Sequence, residues 1–344
     1  MKELRSVEEI GNNLKVILRI DSDLPVEEGQ ISDNSRLKKS IPTIRLLLER
    51  ENKIVIVGHR GRPKGVDDNL SLKLVYLELM SLLEANGENL INNVFVDDIK
   101  SEEKIEEAIR NNQIIFVENL RFWPEEEEGK KELFLTLSKY CNAFVNDAFA
   151  VAHRESASVL LHREMETFYG LDFVEEVERM ENLVNPSRPL SIVLGGGKED
   201  KLNYLEDLKR VADYILIGGK LPLVAEEKGM NIDDDGKVFW AKLKENKLDL
   251  SDEDVNKFIE KINVSKTVIW SGAMGLFESE ENRDGTEKIA MAVAKSGAEY
   301  KVVAGGDTNA SIRNLGLSGE INFRCAGAGV LLEFLSKGSL AAWS

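Results

Sequence analysis

Leu190-Ser191-Ile192-Val193-Leu194-Gly195-Gly196-Gly197-Lys198-Glu199-Asp200-Lys201 lies just past the middle of a 344-residue chain. A short β-branched run that stops at glycines and continues as an amphipathic segment reads as a buried strand, a tight turn and a helix start. Glycine carries no Cβ to hold a ligand off, so such a turn brings backbone N–H groups close to an anion, and the helix end and two lysines add favourable charge. Neither GxxxxGK[ST] nor GxGxxG is matched here, so the common phosphate loop and the dinucleotide fingerprint are both excluded.

Outward from that run, the same alternation of strand and helix patterns fills the chain. In the first half, residues 15–20, 53–58, 94–96, 113–118 and 143–147 are strand-like, while 42–50, 71–85, 102–110 and 131–139 have helical spacing. This βαβ order predicts a parallel sheet covered by helices, with ligands bound in the crevice at the carboxyl ends of its strands. Those ends carry Asp21-Ser22-Asp23, His59-Arg60-Gly61-Arg62, Glu118-Asn119-Leu120-Arg121 and Asn146-Asp147, with Asp33-Asn34-Ser35-Arg36 and His153-Arg154 a loop further on. Arginine forks suit bidentate capture of phosphate and carboxylate, so Arg36, Arg62, Arg121 and Arg154 with His59 predict a pocket for a small phosphorylated acid. The acidic run at 125–128 reads as solvated loop charge.

In the second half, strand patterns at 190–194, 214–217, 267–270, 301–304 and 321–324 end instead in glycines: Gly195–197, Gly218-Gly219, Gly272 to Gly275, Gly305-Gly306-Asp307 and Gly327-Ala328-Gly329. Backbone amides, one lysine or two, a metal-competent aspartate and an apolar Met274–Phe277 patch suit a nucleotide with Mg²⁺. A helical pattern at 174–183, stopped by Asn185-Pro186, reads as the connector between two domains that close on their ligands. The expected architecture is α/β, two doubly wound parallel-sheet domains joined by a connecting helix. The expected bounds are 1–170 for an acid-binding domain, 171–337 for a nucleotide-binding domain and 338–344 for a tail. Phosphoryl transfer fits that layout.

Composition narrows the classes. With 61 acidic against 45 basic residues the formal charge is −16, which argues against nucleic-acid or anionic-membrane partners. No apolar run approaches the ~20 residues of a membrane span, and the start Met1-Lys2-Glu3-Leu4-Arg5 has no signal-peptide character, so a cytoplasmic protein, a monomer, is expected. Cys141 and Cys325 have no metal-ligand spacing and read as buried small residues.

Taken together and in order, Arg19-Ile20-Asp21-Ser22-Asp23-Leu24-Pro25, His59-Arg60-Gly61-Arg62-Pro63-Lys64-Gly65, Glu118-Asn119-Leu120-Arg121-Phe122, Asn146-Asp147-Ala148-Phe149, Ala152-His153-Arg154, Trp270 through Glu278 and Gly305-Gly306-Asp307-Thr308 resemble the phosphoglycerate kinase family over nearly the whole chain. The resemblance implies transfer between 1,3-bisphosphoglycerate with ADP and 3-phosphoglycerate with ATP. It implies acid binding by Asp21, Asp23, Arg36, His59, Arg62, Arg121 and Arg154, and catalysis by Arg36, Lys198, Gly327 and Gly329. For the nucleotide it implies Gly196, Gly197, Lys198, Lys201, Gly218, Gly219, Gly275, Glu278 at the ribose, Gly305, Gly306, Asp307 with Mg²⁺, and Thr308 at the phosphates. It also implies a C-terminal tail that returns to the first domain.

Several positions depart from the family pattern. Asp23 stands where asparagine is usual, Lys198 and Lys201 are one residue closer than the usual lysine pair, and a triple glycine is shortened to Gly218-Gly219. Ser271 and Ala273 replace asparagine and proline, and Cys325-Ala326-Gly327-Ala328-Gly329 replaces Ser-Thr-Gly-Gly-Gly. Between Gly219 and Trp270 several dozen residues, a strand among them, are expected to be missing. These departures keep open a rival reading, a catalytically weak or inactive relative that binds nucleotide or partners. A dinucleotide enzyme would need the absent GxGxxG.

Overall fold

The computed structural model describes residues 4–87, 92–233 and 235–344. It divides into two compact units, Met1–Val177 with Ser339–Ser344, and Glu178–Gly338. Each is built on one six-stranded parallel sheet. The first sheet contains β1 (Lys15–Ile20), β2 (Lys53–Val57), β3 (Asn93–Val96), β4 (Ile114–Val117), β5 (Ala143–Asp147) and β6 (Glu166–Tyr169), in the order β3-β4-β2-β1-β5-β6. The second contains β7 (Leu190–Leu194), β8 (Tyr214–Ile217), β9 (Val238–Trp240), β10 (Thr267–Ser271), β11 (Tyr300–Ala304) and β12 (Phe323–Cys325), in the order β9-β8-β7-β10-β11-β12. That second order is the doubly wound 3-2-1-4-5-6 arrangement, so its topological switch point falls between β7 and β10.

Why these runs are strands follows from their two-sided burial. In β1, Val16, Leu18 and Ile20 pack with Ile41, Ile44 and Leu47 of the helix Ser35–Glu49, while Ile17 packs on the opposite face with Ile105 and Ile109 of Glu102–Asn111. A strand covered on both faces must be apolar at consecutive positions, which is the signature read in the sequence. The second unit repeats this, with Val193, Leu216, Val268, Trp270 and Val303 packed with Phe258 and Ile262 of Asp252–Val264 and Ile289 and Val293 of Asp284–Lys295. At the chain end, Tyr169 Oη donates to the Ala342 carbonyl at 2.8 Å, and the Trp343 ring meets Phe173 edge-on in the first unit. The helix Leu171–Glu181 runs across the division between the units.

Four local expectations are corrected. The helix expected at 42–50 begins at Ser35, with Pro42 inside it, so Arg36 lies in the first turn of a helix rather than in a loop. The glycine turn after β7 leads into a 3₁₀ segment, Glu199–Tyr204, and only then into the short α-helix Leu205–Val211. The strand β6 at the sheet edge went unread because its pattern is short and half exposed. Despite the shortened 220–266 interval, Val238–Trp240 pairs in parallel with Tyr214–Ile217 and completes six strands.

Candidate active site

The carboxyl ends of the first sheet converge on His59. Its ring is 4% exposed, and its Nδ1 lies 2.6 Å from Nη2 of Arg19. A guanidinium only donates, so Nδ1 accepts and the ring proton sits on Nε2. Burial, then the charges of Arg19, Arg121, Arg154 and Arg36, hold the imidazole well below its ordinary pKa. His59 is therefore a neutral Nε2–H donor in an electropositive surrounding. A cavity of about 360 Å³ opens here, lined by Arg19, His59, Arg121, Glu126, His153 and Arg154 among others. The Nε of Arg154 is buried with no hydrogen-bond partner among the described residues.

Two predicted acid-binding residues, Asp23 and Arg121, are linked through the backbone of one residue, Gly61. Asp23 Oδ1 accepts the Gly61 N–H at 2.9 Å, and the Gly61 carbonyl accepts from Arg121 Nη1 at 2.5 Å. Arg36 Nη1 lies 3.5 Å from the Asp21 carboxylate and donates to the Asp23 carbonyl at 3.3 Å. A cation in the first turn of a helix opposes the helix dipole, so Asp21 offsets a placement that local stability alone would disfavour. Arg62 is exposed and makes no ion pair or hydrogen bond among the described residues. Arg60, by contrast, is buried and donates to the carbonyls of Asn69 and Ser71, so it shapes the loop.

Arg19, which lines the cavity and contacts His59, is absent from the site residues expected from sequence. It sits inside β1, where a charged residue among Val16, Ile17, Leu18 and Ile20 is the one available signal, and it is 1% exposed. Its Nε donates to Ser158 Oγ at 3.1 Å, Ser158 Oγ donates to Glu126 Oε1 at 2.5 Å, and Glu126 Oε2 accepts the Ser158 N–H at 3.0 Å. The run at 125–128 is thus not solvated loop charge throughout. Glu126 is 2% exposed, while Glu127 pairs with Arg121 and Glu125 with Lys100.

In the second unit, three strand-end loops lie one on another. The Gly196 N–H donates to the Ala273 carbonyl at 2.7 Å, and the Lys220 N–H donates to the Gly196 carbonyl at 3.0 Å. Two glycines are required for that closeness: Gly219 has φ +62 and a Cβ there would lie 2.5 Å from Gly196 N, while Gly272 has φ +101 and a Cβ there would lie 2.2 Å from the Gly195 carbonyl oxygen. The crevice so formed is lined by Gly196, Gly197, Gly219, Gly275, Glu278 and Asp307 from the expected set. Leu248, Met274, Leu276 and Phe277 give it an apolar end, with Lys220 and Lys247 on its walls. Leu248 comes from the shortened interval and is fixed by the Leu276 N–H donating to its carbonyl at 2.8 Å. Gly305 has φ +95 and precedes Gly306–Asn314, whose first turn carries Asp307. Gly327 caps Ala328–Lys337 and Gly329 lies in its first turn; Ala328 stands next to Gly305, where a Cβ would lie 3.3 Å from Ala328 Cβ.

Three expected nucleotide residues are placed differently. Lys201 turns inward and is 7% exposed; its Nζ donates to the carbonyls of Gly195 and Ser271, each at 2.9 Å, and to Ser271 Oγ at 3.2 Å. Burial, and secondarily Lys198, lower its pKa to about 8. Thr308 is fully buried and its Oγ1 accepts the Gly272 N–H at 2.7 Å, so its hydroxyl supports the loop from below. At Gly218 a Cβ would stand 2.9 Å from Met274 Sδ, so this residue is packed beneath the crevice. Lys198 is exposed at the start of the 3₁₀ segment.

An arginine-and-imidazole anion cavity on one doubly wound unit and a glycine-lined crevice with lysines and a lone aspartate on another define a small-molecule kinase. The chain belongs to the phosphoglycerate kinase family: the model of that family matches residues 7–237 and 224–338. It is 31% identical over 369 residues to the phosphoglycerate kinase of Dictyoglomus turgidum, covering 93% of this chain and 92% of that protein. It is also 31% identical over 375 residues to the phosphoglycerate kinase of Thermus thermophilus, with 95% of each chain covered. Among solved structures, phosphoglycerate kinase from Pyrococcus horikoshii superposes with a TM-score of 0.80 at 27% identity, over 99% of this chain and 98% of the other.

Proposed function

We propose that this chain catalyses reversible phosphoryl transfer between 1,3-bisphosphoglycerate and ADP on one side and 3-phosphoglycerate and ATP on the other. The observation that carries the reading is the family match over nearly the full length, supported by the convergence of Arg19, Arg121, Arg154 and Arg36 on a neutral His59. Arg121, Arg154 and the His59 Nε2–H bind the acid's anionic groups, and Arg36 reaches the phosphoryl group in transfer. Lys198 neutralises the same group from the nucleotide side, with the helix start at Gly327 and Gly329 offering N–H groups. Glu278 accepts from the ribose. Catalysis is then positioning plus charge neutralisation, with no covalent enzyme intermediate.

Mg²⁺ binds through one or two carboxylates together with substrate phosphates, so a crevice with Asp307 as its aspartate fits an ion that arrives on the nucleotide. When bound, the ion neutralises phosphate charge. Among the described residues no group of three or more His, Cys, Asp or Glu side chains forms an all-protein metal site. Each crevice is lined by residues of its own unit, which supports action as a monomer. Among the described residues Cys141 and Cys325 are buried and form no disulfide, which supports a reducing, cytoplasmic setting. Among the described residues no helix is long and apolar enough to cross a membrane.

A coupled assay with 3-phosphoglycerate and MgATP tests the proposal, and steady turnover is the expected result. Nucleotide affinity without turnover would replace it with the inactive-relative reading.

A further inference from the structure

The nucleotide crevice has lost one cation and gained another. Lys201, which the family resemblance assigns to the nucleotide, is buried, and its ammonium donates to the Gly195 and Ser271 carbonyls and to Ser271 Oγ. Three donors matched to three protein acceptors leave it no N–H for a phosphate. Lys220 occupies the position after Gly218-Gly219 where the family pattern continues with a third glycine. It lines the crevice together with Gly196, Gly197 and Asp307. Its aliphatic stem covers the glycine turn, since a Cβ on Gly197 would stand 3.7 Å from Lys220 Cδ. The backbone of Lys220 is fixed to that same turn by its N–H donating to the Gly196 carbonyl at 3.0 Å. Its ammonium is exposed and has no ion pair or side-chain hydrogen bond among the described residues.

We propose that Lys220 is a phosphate-binding residue of the nucleotide crevice and takes over the contact that Lys201 has given up to the protein. A lysine here is a mobile point charge on a fixed root, suited to the non-bridging oxygens of a nucleoside diphosphate or triphosphate laid along Gly196 and Gly197. The inference deepens the nucleotide reading of this crevice and rests on it. It also accounts for two departures together: the shortened lysine spacing moves one cation inward, and replacement of the third glycine supplies a cation at the neighbouring loop.

The test is calorimetry of the full chain with MgADP and with adenosine, for wild type, Lys220→Gln, Lys220→Arg and Lys201→Met. Lys220→Gln is expected to weaken MgADP by roughly 10- to 100-fold, the range of one charge-assisted hydrogen bond, and to reduce the salt dependence of binding. Adenosine, which has no phosphate, should bind Lys220→Gln within twofold of wild type, and Lys220→Arg should restore most of the MgADP affinity. Lys201→Met should lower thermal stability, because it strands the buried Gly195 carbonyl, whereas the Ser271 carbonyl keeps the Gly195 N–H. The proposal is overturned if Lys220→Gln binds MgADP within twofold of wild type, if adenosine weakens equally, or if wild type fails to bind MgADP at all. Failure of the kinase reading is seen separately: wild type that binds MgADP and shows the Lys220 effect, yet gives no turnover with 3-phosphoglycerate, refutes the reaction and leaves the phosphate contact standing.

Discussion

Glu126→Gln is the sharpest perturbation of the acid pocket, because it changes one charge and almost no volume. Glu126 and Arg19 are 2% and 1% exposed, and Glu126 is the strongest of the opposite charges acting on the Arg19 guanidinium. The two do not touch; Ser158 Oγ stands between them, accepting from Arg19 and donating to Glu126. Removing one member of a buried ion pair costs about 3–5 kcal/mol. Asp21 and Asp23 still act on Arg19 in the variant, the two charges are separated by a hydroxyl, and glutamine keeps one acceptor oxygen, so the cost falls below that range, at about 2–3 kcal/mol. Glutamine cannot accept both Ser158 bonds, since its NH₂ must replace one carboxylate oxygen. Urea unfolding at pH 7 measures the loss. Ser158→Ala should cost about 1–2 kcal/mol, and the double variant should fall well short of the sum, because both changes act on one network. Loosening Arg19 should also weaken 3-phosphoglycerate binding while adenosine binding stays unchanged. Glu127→Gln is the internal contrast: its carboxylate is 59% exposed and pairs with Arg121 at 3.4 Å, so its loss should cost under about 1 kcal/mol. A Glu126→Gln protein within about 0.5 kcal/mol of wild type, or additive with Ser158→Ala, would refute the coupled-network argument.

Asp147 gives the fold an alkaline sensitivity. Its pKa is raised from 3.8 to about 8, first by burial and then by Asp172. Because the folded value is the higher one, its contribution is fully present below pH ~4 and is lost as pH rises through about 8, up to roughly 4 kcal/mol between pH 5 and 8. Asp147→Asn keeps an oxygen for the Phe173 N–H and should flatten that pH slope in urea unfolding; equal slopes in both proteins would show that Asp147 does not titrate there. Asp23→Asn also keeps its bond to the Gly61 N–H, so stability should change by less than about 1 kcal/mol, while 3-phosphoglycerate should bind more tightly. A like charge about 4 Å from a substrate carboxylate costs roughly 1 kcal/mol in water-like surroundings and about 4 at an effective dielectric of 20. Unchanged affinity from pH 5.5 to 8 would place the substrate's carboxylate away from Asp23.

What the sequence made legible was what depends on neighbours along the chain. β-branched runs such as 53–57 and 190–194 declare themselves strands because both faces are buried, and the residues that follow them reach the crevice because parallel strands all end on one side. Helix limits were less secure. Pro42 looks like a first-turn residue by its own chemistry, yet the helix extends seven residues further toward the N-terminus, and that extension is what places Arg36. The partners of buried charge were not legible at all. Glu126 and Ser158 meet across 32 positions of sequence, and no periodicity relates them. Lys201 shows the general reason. The glycine turn was readable because backbone freedom is a local demand, but where strands meet, the Gly195 carbonyl is buried beside Gly272 and takes its donor from Lys201, six residues on. Leaving such an acceptor unpaired costs about 1–3 kcal/mol, comparable with what a lysine gains from a phosphate, so protein and ligand compete for the same ammonium. The competition is settled by distance and burial in the fold, and the crevice then depends on whichever lysine, here Lys198 or Lys220, has no carbonyl to serve.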